Sequence, residues 1–141
     1  MGNSFVILYH KQPTSARILF LRLDGTVCQL GGLPTGAKII SCHTEDEAEA
    51  ITPPPENLIT TVEEQLKFTQ GTLALDAPFQ AIVAAEANQF NVYLARFTST
   101  DAPDEAVADI EGKLIAVTEA RTLPPIELEL LKQVYAFLMD G

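Results

Sequence analysis

The sequence predicts an α+β fold: a mostly antiparallel sheet, built from an N-terminal meander and a later hairpin, with a short middle helix and a longer C-terminal amphipathic helix packed on one face. Three observations predict it. Short apolar runs separated by turn residues fill the stretch up to His43. A proline-broken connector is followed by apolar residues at helical spacing. The chain ends in IELELLKQVYAFLMDG, whose apolar residues wind around one broad side of a helix.

The strands come first. FVILYHK, residues 5–11, is an apolar run ended by the turn residues QPTS, and ARILFLRL, 16–23, follows with Arg17 and Arg22 flanking a stretch that reads as buried on both faces. Asp24-Gly25 is the strongest hairpin turn in the chain, because a type I′ turn needs positive φ at both central residues and Asp-Gly tolerates it cheaply. TVCQL, 26–30, is therefore expected to return antiparallel to ARILFLRL. After GGLPTG, AKIISCH, 37–43, makes a fourth strand, in which alternation sends Ile39 and Ser41 one way and Ile40 and Cys42 the other.

ITPPPEN lacks backbone donors at three successive prolines and reads as a stiff extended connector. Beyond it, Leu58, Val62 and Leu66 recur at fourfold spacing, and Thr60 with Glu63 and Thr61 with Glu64 both match the capping-box pattern, which predicts a short helix. Residues 77–87 stand open between helix and strand. Asp76 and Pro78 suit a helix start that the alanines would sustain, whereas FNVYLARFTS is rich in strand formers. A hairpin turning near Asn88 accommodates both halves. TDAPDEA then reads as a charged loop and GKLIAVTEA, 112–120, as the last strand.

Pro125 opens the C-terminal helix, where its missing N–H costs nothing, and Glu127 and Glu129 lie in or near the first turn, where the helix dipole favours negative charge. At roughly 100° per residue, Ile126, Phe137, Leu130, Val134, Leu138, Leu131, Tyr135, Leu128 and Met139 spread over an arc of about 220°. A helix on one sheet needs a stripe of little more than about 100°. The excess is covered either by a groove between sheet and neighbouring helix or by association, and Leu128, Leu131, Tyr135 and Met139 form the flank expected to meet a second copy or a protein partner.

The 141 residues, 47% apolar and 20% charged, make a single compact domain spanning 1–141 with no linker or repeat. The net charge of −10 opposes the counterion release on which affinity for phosphate backbones depends, so no nucleic-acid partner is expected. The charge is uneven: Lys11, Arg17, Arg22 and Lys38 against Asp24 alone give +3 over residues 1–38, which leaves −13 for residues 39–141. The opening MGNSFVILYHK has too short an apolar run for a signal peptide or a membrane span, and Cys28 and Cys42 lie outside any paired spacing. A cytoplasmic protein with buried reduced thiols and no membrane contact is the expectation.

SCHTEDEAEA, 41–50, holds the weak catalytic candidates, Cys42 and His43. Neighbours on an extended strand point to opposite faces, and Glu45, Asp46, Glu47 and Glu49 would raise the thiol's pKa, the reverse of nucleophile activation. No catalytic residue is therefore assigned. A metal held by His43 and Asp46 with His10 or Cys28 lacks the paired short spacings of zinc sites, so no metal or other cofactor is expected. Lys11, Arg17 and Arg22 read as charges that discourage edge-to-edge association. The sequence therefore points first to a noncatalytic interaction or regulatory module associating through the C-terminal helix. The alternatives are a small-molecule binding domain with a pocket between helix and sheet, with Tyr93, Arg96 and Tyr135 as polar handles, and an enzyme of a family that no motif here identifies.

Overall fold

The computed structural model describes residues 4–11, 18–23, 26–29, 36–43, 58–85, 88–99 and 104–140. In chain order its elements are β1 (Ser4–Lys11), β2 (Ile18–Arg22), β3 (Cys28–Gln29), β4 (Lys38–His43), α1 (Leu58–Gln65), β5 (Leu73–Ala85), β6 (Asn88–Phe97), α2 (Asp104–Asp109), β7 (Lys113–Ile115), a 3-10 helix (Val117–Thr122) and α3 (Pro125–Asp140). The strands form one sheet in the order β4-β5-β6-β1-β2-β7, with β3 also paired to β1. The α+β class is the one the sequence predicts. The sheet is mixed, since β1 and β6 run parallel while the other pairs are antiparallel.

The helices do not share a face. Phe5, Ile7 and Tyr9 of β1 pack with Leu130, Leu131, Val134 and Leu138 of α3, while Val6 and Leu8 pack with Leu58 and Val62 of α1 and Val107 of α2. Successive strand residues alternate between faces, so α3 lies on one side of the sheet and α1 and α2 on the other. The physical reason is legible in FVILY and ILFL. Runs apolar at every position need cover on both sides.

The expected meander is also rearranged. Leu23 and Thr26 exchange backbone hydrogen bonds of 2.9 and 3.1 Å, while Asp24-Gly25 lies outside the described residues, and the antiparallel pairing expected of β2 with 26–30 stops at that single bridge. The chain then rejoins β1: Phe20 pairs with Tyr9 and Cys28 with Ile7, both antiparallel, so β3 continues along the β1 edge that β2 began. β4 goes to the far end of the sheet and pairs with β5.

Of the segment 77–87, residues 77–85 are strand, belonging to β5, which pairs antiparallel with β6 from Asn88 on, while 86 and 87 lie outside the described residues. Between Leu75, paired with Ala95, and Gln80, paired with Tyr93, four residues of β5 oppose one of β6. This bulge contains Pro78, which cannot donate to a ladder. Because it inserts an odd number of residues it reverses the facing pattern, so Leu73 and Leu75 belong to the α1 side and Ala81 and Val83 to the α3 side.

Part of TDAPDEA, read as a loop, is helical in α2, and the last strand is the short β7. The capping boxes do not form, because α1 begins at Leu58 and places Thr60 and Thr61 inside it. Glu63 is instead buried and accepts hydrogen bonds from the backbone N–H of Gly71 at 2.9 Å and Leu73 at 3.0 Å, tying the end of α1 to the start of β5. Both α1 and α2 end in paired closing bonds: Phe68 N–H to the Glu63 carbonyl and Lys67 to Glu64, then Gly112 to Val107 and Glu111 to Ala108. The pattern is a Schellman cap, and its left-handed residue is usually glycine. Here it is Lys67, with φ 61°, and Glu111, with φ 60°.

Candidate functional site

The buried stripe of α3 comprises Leu130, Val134, Glu127, Leu138 and Leu131, which together span about 100° of the helix at the usual turn per residue. Ile126 and Phe137 on one flank and Leu128 on the other are half-buried against the same core. Tyr135 is 40% exposed. Of the expected interface flank, then, Leu131 is fully buried in the core, Leu128 sits at its margin and Tyr135 faces water, while the Met139 side chain lies outside the described residues.

Glu127 is the residue whose role the sequence concealed. Placed at the centre of the apolar arc, it is 2% exposed and accepts the Thr26 hydroxyl at 2.7 Å and the Val27 N–H at 2.8 Å. The Thr26 oxygen in turn accepts the Cys28 N–H at 3.1 Å. The helix start is thereby bonded to the loop that carries the chain from β2 to β3. The available signal was position: a carboxylate amid an apolar stripe must find donors when buried. Cys28 lies next to this cluster, and burial, with the Glu127 charge adding to it, pushes its thiol well above the ordinary range. It is the reverse of an activated nucleophile.

The catalytic candidates Cys42 and His43 have their backbones on β4, paired with Ala81 and Gln80, and their side chains lie outside the described residues. The residues weighed for a metal are separated: Cys28 belongs to the α3-side core, while His10 follows the alternation of Val6 and Leu8 on the α1 side. Among the described residues no group of three potential metal ligands forms. His10 is buried, its Nε2 donating to the Ser99 carbonyl at 3.0 Å, and its Nδ1 meets no hydrogen-bond partner among the described residues.

The three ligand candidates are not brought together. Tyr93 packs on the α1 side, where burial raises its phenol pKa, whereas Arg96 is exposed and pairs with Tyr9, a residue of the α3 side, and Tyr135 is on α3 itself. A recess of about 380 Å³ opens elsewhere, between the ends of α1 and α2, lined by Lys67, Phe68, Thr69, Asp109 and Ile110 among others. Both charged residues in that lining are exposed, so neither is held in a desolvated position from which it would orient a ligand.

A surface feature remains at the far end of the sheet. Among the described residues β4 has a strand partner on one side only. Its register shifts between Ile39 and Ser41, which makes Ile40 the extra residue of a bulge, and Ile40 is 53% exposed. The 16 residues of α3 span about 24 Å at about 1.5 Å each. That length carries the helix from its anchor at Val27, beside β1, across four strand spacings of about 4.8 Å to β5 and β4, which it contacts. The end of the sheet that bears β4 therefore also bears the later turns of α3 and Tyr135. No helix among the described residues is long and apolar enough to cross a membrane. Set against models of known protein families the chain matches none, and no curated protein matches it.

Proposed function

We propose that the protein is a noncatalytic interaction module that self-associates through the outer flank of α3 and the neighbouring edge of the sheet. The observation that carries this reading is the placement of Ile40 and Tyr135, the large apolar side chains that stay exposed among the described residues, on the strand and the helix that meet at one end of the molecule. Exposed apolar groups of this size on adjoining elements favour association. The chemistry elsewhere agrees with a binding role, since the described thiol is buried and its acidity suppressed.

The second reading, a small-molecule pocket between α3 and the sheet, loses support from the packing: Leu130, Leu131 and Val134 have no exposure, and the space beneath the helix is occupied by the core. Light scattering of the purified protein over a rising concentration series tests the proposal. A mass climbing towards twice that of the chain, returned to the monomer value by Tyr135→Glu, is the expected result. A monomer mass throughout would refute it.

A further inference from the structure

We infer, building on the self-association proposed above, that the α3 helices of two copies pack antiparallel about a two-fold axis, with Lys132 of each lying over the ring of Tyr135 of the other. The seam is visible as a spacing. Leu128, Lys132 and Tyr135 stand four and then three residues apart, and at roughly 100° per residue they occupy an arc of about 60° beside the stripe that the sheet buries. Four-and-three spacing is the pattern that keeps one ridge of a helix facing a partner helix. Leu128 is half-buried, Lys132 is exposed and Tyr135 is 40% exposed, so this ridge is accessible from outside.

Charge selects both the partner and the direction. Two chains of net charge −10 repel, so a second copy must approach where carboxylates are sparse. α3 supplies such a place, since from Leu130 to Met139 its single formal charge is Lys132. Parallel helices in register would set Lys132 against Lys132 and Glu129 against Glu129, both of them like pairs. Antiparallel helices centred between Gln133 and Val134 set Lys132 against Tyr135 on either side of the axis, and bring Glu129 of each copy towards Ala136 of the other. An ammonium over a tyrosine ring is attracted by the ring's negative face. The ridge thus carries both the cation and its aromatic partner at positions that a two-fold axis superposes, as an isologous contact requires.

Leu128 extends the seam by a turn at each end, but the contact stays small. A helix about 24 Å long and about 10 Å across covers far less than the roughly 800 Å² per partner of a stable interface. The dimer is therefore a weak one, and its measurement needs protein concentrations up to about 1 mM.

Sedimentation equilibrium at low salt, over a series reaching that concentration, tests the pairing. The expected result is a monomer–dimer equilibrium that Lys132→Glu weakens at least tenfold. Lys67→Glu, the same charge change at an exposed site just after α1, on the other side of the sheet, should move it by less than about threefold. Tyr135→Phe keeps the ring and should leave the dimer intact, whereas Tyr135→Leu keeps apolar bulk without the ring and should weaken it about fivefold or more. Circular dichroism should be unchanged throughout, because Lys132 and Tyr135 are exposed. A dimer no more sensitive to Lys132→Glu than to Lys67→Glu, or one that Tyr135→Leu does not weaken, overturns the antiparallel seam and leaves self-association standing. A monomer at every concentration overturns both.

Discussion

Replacing Glu127 by glutamine should loosen the join between α3 and the β2–β3 loop, and the size of the effect can be worked from the contacts. The carboxylate accepts the Thr26 hydroxyl at 2.7 Å and the Val27 N–H at 2.8 Å, and among the described residues it meets no cation. Hydrogen bonds to a charged acceptor contribute about 1.5–3 kcal/mol each. Glutamine keeps one acceptor oxygen, at about half the strength once the charge is gone, and turns an amide NH2 towards the other donor. The lost bonding is partly offset by no longer burying a charge, so the net cost is about 2 kcal/mol. In a chain of 141 residues that lowers Tm by about 7 °C. Glu127→Ala orphans both donors and should cost about 3 kcal/mol. Urea denaturation followed by circular dichroism measures each value. Thr26→Val should cost less in the Glu127→Gln background than alone, with a coupling of about 1 kcal/mol. The thiol of Cys28 should titrate lower in Glu127→Gln, because part of its raised pKa comes from that charge. Stability within about 0.5 kcal/mol of wild type and no coupling would refute the reasoning.

Lys67→Gly and Glu111→Gly should each stabilise the protein by about 0.5–1 kcal/mol in the same assay, since a side chain at φ 61° or 60° costs about 1–2 kcal/mol and glycine's extra freedom in the unfolded chain returns only part of that. Gly112→Ala should destabilise by about 1–2 kcal/mol, because a Cβ there would sit 3.0 Å from Leu21 Cδ1 and 3.3 Å from Val107 Cγ1, in a buried cluster with little room to yield. Cys28 gives a pH dependence. Its folded pKa is raised, so above the ordinary thiol value of about 8.5 the unfolded chain releases a proton that the folded one keeps, and stability falls with rising pH by up to about 1.4 kcal/mol per unit. Cys28→Ala should flatten that slope between about pH 8.5 and 9.5 in pH-resolved denaturation curves, a window chosen to lie below tyrosine ionisation.

Most elements were legible in the sequence because each rests on local chemistry. Leu58, Val62 and Leu66 recur at fourfold spacing and are buried together, and Pro125 and the apolar arc locate α3. Leu23 and Thr26, which flank Asp24-Gly25 in the sequence, form an isolated antiparallel bridge. The pairing of the residues after that bridge was not legible, because backbone pairing is chosen by what else lies along β1. The alternation read in AKIISCH is interrupted by a bulge at Ile40, and β5 carries another between Leu75 and Gln80, where extra residues shift the register without changing strand propensity. At the candidate site, Tyr135 was visible as an exposed apolar residue in waiting. The burial of Leu131 was not, because position on an arc does not say which part of it the sheet will cover.

The sequence by itself determined the class: apolar runs of strand length, a helix after a proline break and a broad C-terminal helix can bury their apolar surface only as a layered α+β domain. It also determined that any second copy must meet a chain of net charge −10, carried almost wholly after residue 38. Only the tertiary structure decided that β4 would stand at an edge, that Tyr93 and Arg96 would face opposite sides of the sheet, and that Glu127 would be held beneath α3 by Thr26 and Val27. The physical reason is range. Propensity, capping and periodicity act within a few residues, whereas an edge, a face and a buried carboxylate's donors are set by segments some hundred positions away along the chain.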